Sequence, residues 1–137
     1  MTFLVERLAD LRLHLGHLRD IRPRVRDAES LRADLSLHND VLFSLLVVCQ
    51  AVIDVAGDLA GRRGIRFQDY TEAVRALRGV EGMPPEVVAA LEGLPGFRNV
   101  LVHEYVALDY ALVLDALAGL DAVERFVTFV AQLEGDA

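Results

Sequence analysis

Apolar residues recur at alternating spacings of three and four along most of the chain, and this period restricts the possible folds more than any other feature. The first segment shows it most plainly, with leucines at positions 4, 8, 11, 15 and 18. Such spacing puts the side chains on one face of an α-helix. Because no segment alternates apolar and polar residues long enough to indicate a strand, the sequence predicts an all-α fold.

A second stripe with the same period runs over residues 31–59 and marks the segment that we expect at the centre of the fold. Over residues 41–56 its remaining faces are mostly apolar too, which is typical of a buried helix. Ser44, Gln50 and Asp54 interrupt it, so we interpret it as a core helix that falls short of a membrane span. Buried polar groups need partners, so Gln50 and Asp54 either support a site or tie helices together.

Helix boundaries follow from residues that cap or interrupt helices. The predicted starts are Asp27 or Ser30, Asp69 or Thr71, Pro84–Pro85, Phe97 and Asp109, and the predicted stops are Pro23, Gly61, Gly64, Gly79 and Gly82. The segment that begins at Phe97 is expected to reach about Tyr105, and Asp109 is expected to cap one long last helix. These elements amount to an up-and-down bundle of about five helices in a single domain over residues 1–137.

The charge distribution bears on which partners the chain can bind. The formal net charge is −7, with ten Arg against nine acidic residues in residues 1–66 and four against twelve in residues 67–137. This acidity excludes non-specific attraction to nucleic acid or to a membrane surface as a default. The single cysteine, Cys49, excludes a disulfide within the chain and a multi-cysteine zinc site. Charged residues interrupt the N-terminal apolar run, so no secretory signal is predicted and we expect a cytoplasmic protein.

One segment, residues 96–105, gathers the residue types that phosphodiester chemistry needs. It contains Arg98, Asn99, His103 and Tyr105 within eight residues of an otherwise apolar bundle. His exchanges protons near neutral pH, and Arg holds phosphate oxygens through a planar fork. Together they are the minimum for cutting RNA by attack of its own 2′-hydroxyl, since one group moves the proton and the other stabilises the charge on phosphorus.

Helix geometry limits how Arg98 and His103 can act together. At about 100° per residue they point roughly 140° apart on an ideal helix, whereas Arg98 and Tyr105 nearly align. A single straight helix therefore does not aim Arg98 and His103 at one point. Either the helix distorts near His103, or two chains each donate half of a shared cleft.

The other polar candidates have simpler interpretations. His14 and His17 lie three apart and could share an edge of the first helix, but without a third ligand they are expected to be surface histidines. His38 occupies a stripe position among leucines, which indicates a packed or interface histidine. Cys49 lies on an apolar helix face, where a small buried thiol is expected and reactivity is not.

The pattern Arg98-x4-His103-x-Tyr105, with Asn99 after the Arg, resembles the R-x4-H-x-Y signature of HEPN-domain ribonucleases, and in detail that of the HepT-like toxins. The resemblance covers essentially the whole chain. It extends over residues 96–105, the following Leu108-Asp109 and long helix, residues 50–55, residues 67–70 and residues 84–86. One departure is Asn39-Asp40, where family members often carry a Glu-Arg or similar charged pair.

The resemblance implies a five-helix HEPN bundle that forms a homodimer and places both motifs in one cleft. It implies a metal-independent endoribonuclease that needs no cofactor and cuts tRNA or mRNA. Arg98 would bind and stabilise the scissile phosphate, His103 would act as general acid or base, and Asn99 would position RNA or Arg98. The implied partner is an MntA-type minimal nucleotidyltransferase antitoxin, which would transfer AMP to Tyr105.

Two alternatives stay open from the residues. The chain could be a catalytically silent HEPN module that only pairs with a nucleotidyltransferase; its acidic net charge favours this, because an RNA-cutting surface normally has positive potential. The basic run between Arg19 and Arg32 could supply that potential locally. In the second alternative, Arg98 and His103 merely satisfy buried helix ends.

Overall fold

The computed structural model describes residues 2–104 and 107–135, and within them the chain forms helices and no strand. The helices are α1 (Thr2–Ile21), α2 (Ala28–Ala33), α3 (Leu35–Arg62), α4 (Tyr70–Arg75), α5 (Pro85–Leu91), α6 (Leu94–His103), α7 (Tyr110–Ala118) and α8 (Leu120–Gly135). Short 3-10 turns follow α1 (Arg22–Arg24) and α4 (Ala76–Gly79). The prediction of an all-α bundle is confirmed.

Helix α3 forms the centre of the bundle. Helix α1 packs along it, while α4 and α6 pack against its other sides. The leucine stripe of α1 faces this contact, and all five of its predicted leucines are buried. The apolar faces of α1 and α3 therefore bury each other, as their three-four period predicts.

The apolar character of α3 is higher than its three polar interruptions suggested. By length and composition alone, Leu35–Arg62 could cross a membrane, so the expectation that this segment falls short of a span does not hold on those grounds. Most of its most apolar stretch is nevertheless buried inside the bundle. The surrounding helices, and not the polar residues within it, show that α3 is a core helix.

The predicted second helix is wrong as one continuous element, because Asp34 divides it into α2 and α3. Asp27 starts α2 with a capping box, in which its carboxylate accepts from the backbone N–H of Ser30. Asp34 has extended backbone angles, and its Oδ1 accepts from the N–H of Leu37 at 3.1 Å. That backbone hydrogen bond lowers the pKa of Asp34. The apolar stripe continues across the break, so its period could not reveal it.

The C-terminal boundaries also differ from expectation. Helix α6 begins at Leu94 and not at Phe97, because Pro95 lies in its first turn, where a missing N–H is tolerated. Asp109 caps the next helix as predicted, accepting from the N–H of Ala111 at 2.9 Å. The single long last helix is wrong, since the chain breaks at Gly119 between α7 and α8.

Candidate functional site

Helix α6 carries the Arg98–His103 segment and lies against α3. Its deepest anchors are Pro95 and Leu101, which are buried. Arg98 lies in the middle of the helix and is half-buried, whereas His103 is its last residue and is exposed. The site is therefore built on a packed helix whose C-terminal end reaches solvent.

Arg98 is held by three neighbours. Its Nε donates to Oε1 of Gln50 on α3 at 3.0 Å. Its Nη1 donates to Oδ1 of the adjacent Asn99 at 3.1 Å. Its guanidinium carbon lies 5.7 Å from the ring centroid of Tyr70, at the start of α4, within range of a cation–π contact. Within the described residues, Nη2 donates to no protein group and is available to a ligand.

Gln50 in turn donates through Nε2 to Oδ1 of Asp54, one helical turn further along α3, at 2.9 Å. This polar chain lines an open cavity of about 300 Å³ whose wall is formed by Arg7, Asp10, Leu46, Val47, Gln50, Ala51, Asp54, Arg98 and Val102. On the α1 side of the cavity, Arg7 pairs with Asp10 at 2.9 Å. Arg98 thus lines a cavity whose wall includes both arginine and aspartate side chains.

The helix does not bring Arg98 and His103 together. Helix α6 is continuous from Leu94 to His103, and the backbone leaves helical angles at Glu104, so the described residues show no distortion between Arg98 and His103. The two side chains leave it in directions roughly 140° apart. Arg98 points to Gln50 and the cavity, while His103 is exposed at the helix end.

Asn99 and Tyr105 complete the set of predicted site residues. Asn99 is exposed and its amide oxygen is one of the Arg98 acceptors, which agrees with a role in positioning Arg98. Tyr105 lies outside the described residues, so the prediction for it stays a prediction.

The remaining histidines do not converge on a common site. Nδ1 of His14 lies 2.9 Å from Oγ of the buried Ser44. The exposed His17 places Nε2 3.6 Å from Oδ2 of Asp40. The ring of His38 meets that of Tyr110 edge-on at 5.7 Å. Across residues 2–104 and 107–135, no three of His, Cys, Asp and Glu group in a way that could hold a metal ion.

Cys49 lies in the wall of a second cavity of about 260 Å³, which is mostly apolar and lies where α3, α5, α6, α7 and α8 meet. The thiol is buried, and burial raises its pKa to about 12. The expectation of an unreactive buried thiol is consistent with this environment, because the thiolate is the reactive form.

Tyr70 and Arg7 are site neighbours that sequence reasoning did not select. Tyr70 belongs to residues 67–70, one of the stretches quoted for the family resemblance, but no spacing connects it with Arg98. Arg7 is one of several Arg residues between the leucines of α1. Only the packing of α1 and α4 around α3 reveals that both lie near Arg98.

The helical bundle has the fold of the HEPN class of proteins. The chain aligns with a tri-AMPylated Shewanella oneidensis HEPN toxin in complex with MNT antitoxin, at TM-score 0.79 and 19% identity over 96% of this chain and 98% of that one. It aligns with a toxin–antitoxin crystal structure with AMP-PNP at TM-score 0.81 and 18% identity, over 96% and 99%. At such identities the likeness establishes the fold.

Sequence similarity identifies the family within that class. The family described as Ribonuclease HepT-like matches residues 12–130, and the chain belongs to it. A relative from Archaeoglobus fulgidus, named "Putative RNase", is 28% identical over 94 residues, which cover 69% of this chain and 70% of that protein.

Proposed function

We propose that this protein is the toxin of a HepT/MntA-type toxin–antitoxin system, a metal-independent endoribonuclease that cuts tRNA or mRNA in the cytoplasm. The observation that carries the proposal is the presentation of Arg98. Its Nε donates to Gln50, its side chain lines a cavity, and its Nη2 donates to no protein group in the described part of the chain. Membership of the HepT-like ribonuclease family supplies the reaction class.

In the proposed reaction, the 2′-hydroxyl oxygen of a ribose attacks the adjacent phosphorus. The phosphorus–5′-oxygen bond then breaks, leaving a 2′,3′-cyclic phosphate and a 5′-hydroxyl. Arg98 binds the phosphate oxygens and stabilises their added negative charge. His103 takes the proton from the 2′-hydroxyl or gives one to the departing 5′-oxygen. Asn99 orients Arg98.

We further propose that the cleft is composite, formed by Arg98 of one protomer and His103 of its partner in a homodimer. The divergence of these two side chains on one helix supports this arrangement. So do two large apolar side chains near the site, since Phe43 on α3 is 61% exposed and Val102 on α6 is 43% exposed. Light scattering at micromolar concentration should give twice the monomer mass. A strict monomer that still cuts RNA would exclude a composite site.

The central test replaces His103 by Ala. Cleavage of bulk tRNA and of a transcribed mRNA should be abolished, together with growth inhibition, while the helical circular dichroism stays unchanged. Arg98→Ala should lower cleavage nearly as much, on the order of 100-fold or more, because the phosphorane loses its charge partner. His17→Ala is the matched control, since it removes an exposed histidine that pairs with Asp40 and does not line the cavity beside Arg98, and it should cleave like the wild type.

Metal independence is tested in the same assay. Cleavage should persist after dialysis against EDTA, because the proposed mechanism assigns all proton transfer and charge stabilisation to side chains. Activity that disappears with EDTA and returns with a divalent ion would overturn the mechanism. Unchanged toxicity in the His103→Ala variant would overturn the site.

We propose that an MntA-type nucleotidyltransferase is the antitoxin and that it transfers AMP from ATP to Tyr105. The solved HEPN toxin that is AMPylated in complex with its MNT antitoxin supports this partner. Each AMP would place a phosphate where it competes for the Arg98 fork and repels the RNA backbone. Intact-mass analysis with the partner and ATP should show AMP increments that Tyr105→Phe loses and Tyr110→Phe keeps. Protection that persists in Tyr105→Phe would refute this regulation.

A silent binding module is the second candidate, favoured by the net charge of −7. In that case the chain would bind the nucleotidyltransferase and occupy its nucleotide site without cutting RNA. The two candidates separate cleanly, because a silent module would show no cleavage by the wild type under conditions in which the complex with the nucleotidyltransferase forms.

A further inference from the structure

A continuous polar chain runs from the middle of α6 into the centre of α3. It consists of two hydrogen bonds, Arg98 Nε to Gln50 Oε1 at 3.0 Å and Gln50 Nε2 to Asp54 Oδ1 at 2.9 Å. All three side chains are half-buried and line the same cavity. We propose that Gln50, oriented by Asp54, is the positioning residue that fixes the guanidinium of Arg98 for the phosphate. This inference rests on the proposed ribonuclease function.

The chemistry of the two ends determines how the Gln50 amide must lie. The Arg98 Nε–H can only donate, and the Asp54 carboxylate can only accept. Gln50 meets both with its carbonyl toward Arg98 and its NH2 toward Asp54. Turning the amide over would place two donors face to face at one end and two acceptors at the other. Asp54 therefore locks the amide in the orientation that Arg98 needs.

The consequence for Arg98 is a choice between its two hydrogen-bonding edges. A guanidinium can bind an oxyanion through the Nε/Nη edge or through the Nη1/Nη2 end. Gln50 occupies Nε, so the Nη groups are left for the phosphate. Nη1 keeps one N–H besides the one that it donates to Asn99, and Nη2 has no partner among the described residues. The side chain is thereby held in one rotamer before substrate arrives, which lowers the entropy cost of the aligned state.

A purely structural role for Gln50 is a weaker explanation. Helices α3 and α6 already meet through apolar contacts that include the buried Leu101. One bridge of this kind adds little to such a contact, because most of the strength of a hydrogen bond is offset by the loss of the bonds that the same groups make to water. It does, however, determine where a long and flexible cationic side chain points.

The first test observes the hydrogen bond directly and needs no RNA. In the full-length protein, arginine side-chain NMR should show the Arg98 Nε–H protected from exchange with water. Gln50→Met keeps the length and volume of the side chain but removes the acceptor, so exchange of that Nε–H should speed up at least tenfold. Ser44→Ala is the matched control, since it also removes a polar contact between α3 and another helix, the bond to His14, and it should leave the signal unchanged.

The second test measures cleavage with a fluorescent RNA oligonucleotide that the wild type cuts. Gln50→Met should lower kcat by about 10- to 100-fold, the scale of a misplacement near 1 Å, and should raise KM by a smaller factor. Gln50→Glu combined with Asp54→Asn should recover most of kcat. In that pair the acceptor for Nε is retained, and the hydrogen bond between positions 50 and 54 is reversed without bringing two carboxylates together.

The outcomes separate this inference from the function on which it rests. Faster Nε–H exchange with a kcat loss that the double variant repairs would establish the positioning role. Unchanged Nε–H exchange in Gln50→Met, or a kcat equal to that of Ser44→Ala, would overturn it even if RNA is cut. Absence of cleavage by the wild type overturns the ribonuclease proposal, and with it the catalytic purpose of the polar chain. The NMR result would then report on the hydrogen bond alone.

Discussion

Leu101 is the core residue that connects the packing of α6 to its chemistry, and truncating it should separate activity from stability. It lies between Arg98 and His103 on the same helix and is 4% exposed. Replacing a buried Leu by Ala costs about 2–5 kcal/mol, and the cost rises with the size of the cavity that is newly created. The position of the variant within that range depends on what already surrounds the side chain.

The surroundings of Leu101 predict a destabilisation at the low end of this range. Together with Asn39, Leu42, Phe43 and Leu46 it lines a cavity of about 270 Å³, so part of its surface already lacks close neighbours. We therefore expect Leu101→Ala to lower the free energy of unfolding by about 2–3 kcal/mol. The loss of this anchor lets α6 shift against α3, and a shift near 1 Å should lower kcat for RNA by up to about 100-fold.

Leu59 provides the matched control. It lies near the C-terminal end of α3, is fully buried and lines none of the cavities described above. Leu59→Ala should therefore destabilise by more, about 3–5 kcal/mol, yet leave kcat within about twofold at a temperature where the variant is folded.

Urea unfolding followed by circular dichroism gives the two free energies, and cleavage of the same RNA at low temperature gives the two kcat values. The expected result is a crossed order, in which the less destabilised variant is the less active one. If kcat instead follows stability in rank, the idea that Leu101 positions the site is refuted.

Two further predictions concern Cys49 and Tyr70. The pKa of the Cys49 thiol rises from about 9 when unfolded to about 12 when folded, so between these two pH values only the unfolded state loses the thiol proton. The free energy of unfolding should therefore be insensitive to this group below pH 9. Above pH 9 it should fall by about 1.4 kcal/mol per pH unit. Urea titrations at pH 8 to 10 should show that extra slope in the wild type and not in Cys49→Ala, and equal slopes would contradict it. Tyr70→Phe should leave cleavage unchanged, whereas Tyr70→Leu removes the ring beneath Arg98. The Leu variant should lower kcat by about 2- to 5-fold, as expected for a cation–π contact of about 0.5–1 kcal/mol. Equal rates in the two variants would count against that contact.

The period of the apolar residues predicted the long helices well because burial of one face is a repeated signal. Each leucine of α1 adds to the same pattern, so errors at single positions cancel. The breaks at Asp34 and Gly119 carry no such repetition. Each depends on a single residue, and the stripe continues on both sides, so the pattern favoured continuous helices where the backbone turns.

The residues of the candidate site likewise fall into those that the sequence could predict and those that it could not. Arg98 and His103 could be selected from the sequence because their chemistry and spacing are local, and the divergence of their directions follows from helix geometry. The partners of Arg98 could not be selected. Gln50 is 48 positions away in the chain and Tyr70 is on a different helix, so only the packing of α4 and α6 on α3 brings them together. For this reason the sequence alone predicted two possible roles for Gln50, support of a site or a connection between helices.

The apolar character of α3 has a consequence during synthesis on the ribosome. When Arg62 has been translated, α1 is the one long helix already made that packs on α3, and α6 is complete only at His103. At synthesis rates of about 5–20 residues per second, these roughly 40 residues take roughly 2 to 8 s. For that interval the nascent chain contains a helix that is apolar enough to cross a membrane, without all of the helices that cover it in the folded chain. The chain therefore completes this long apolar helix before the helix that carries Arg98 and His103 exists.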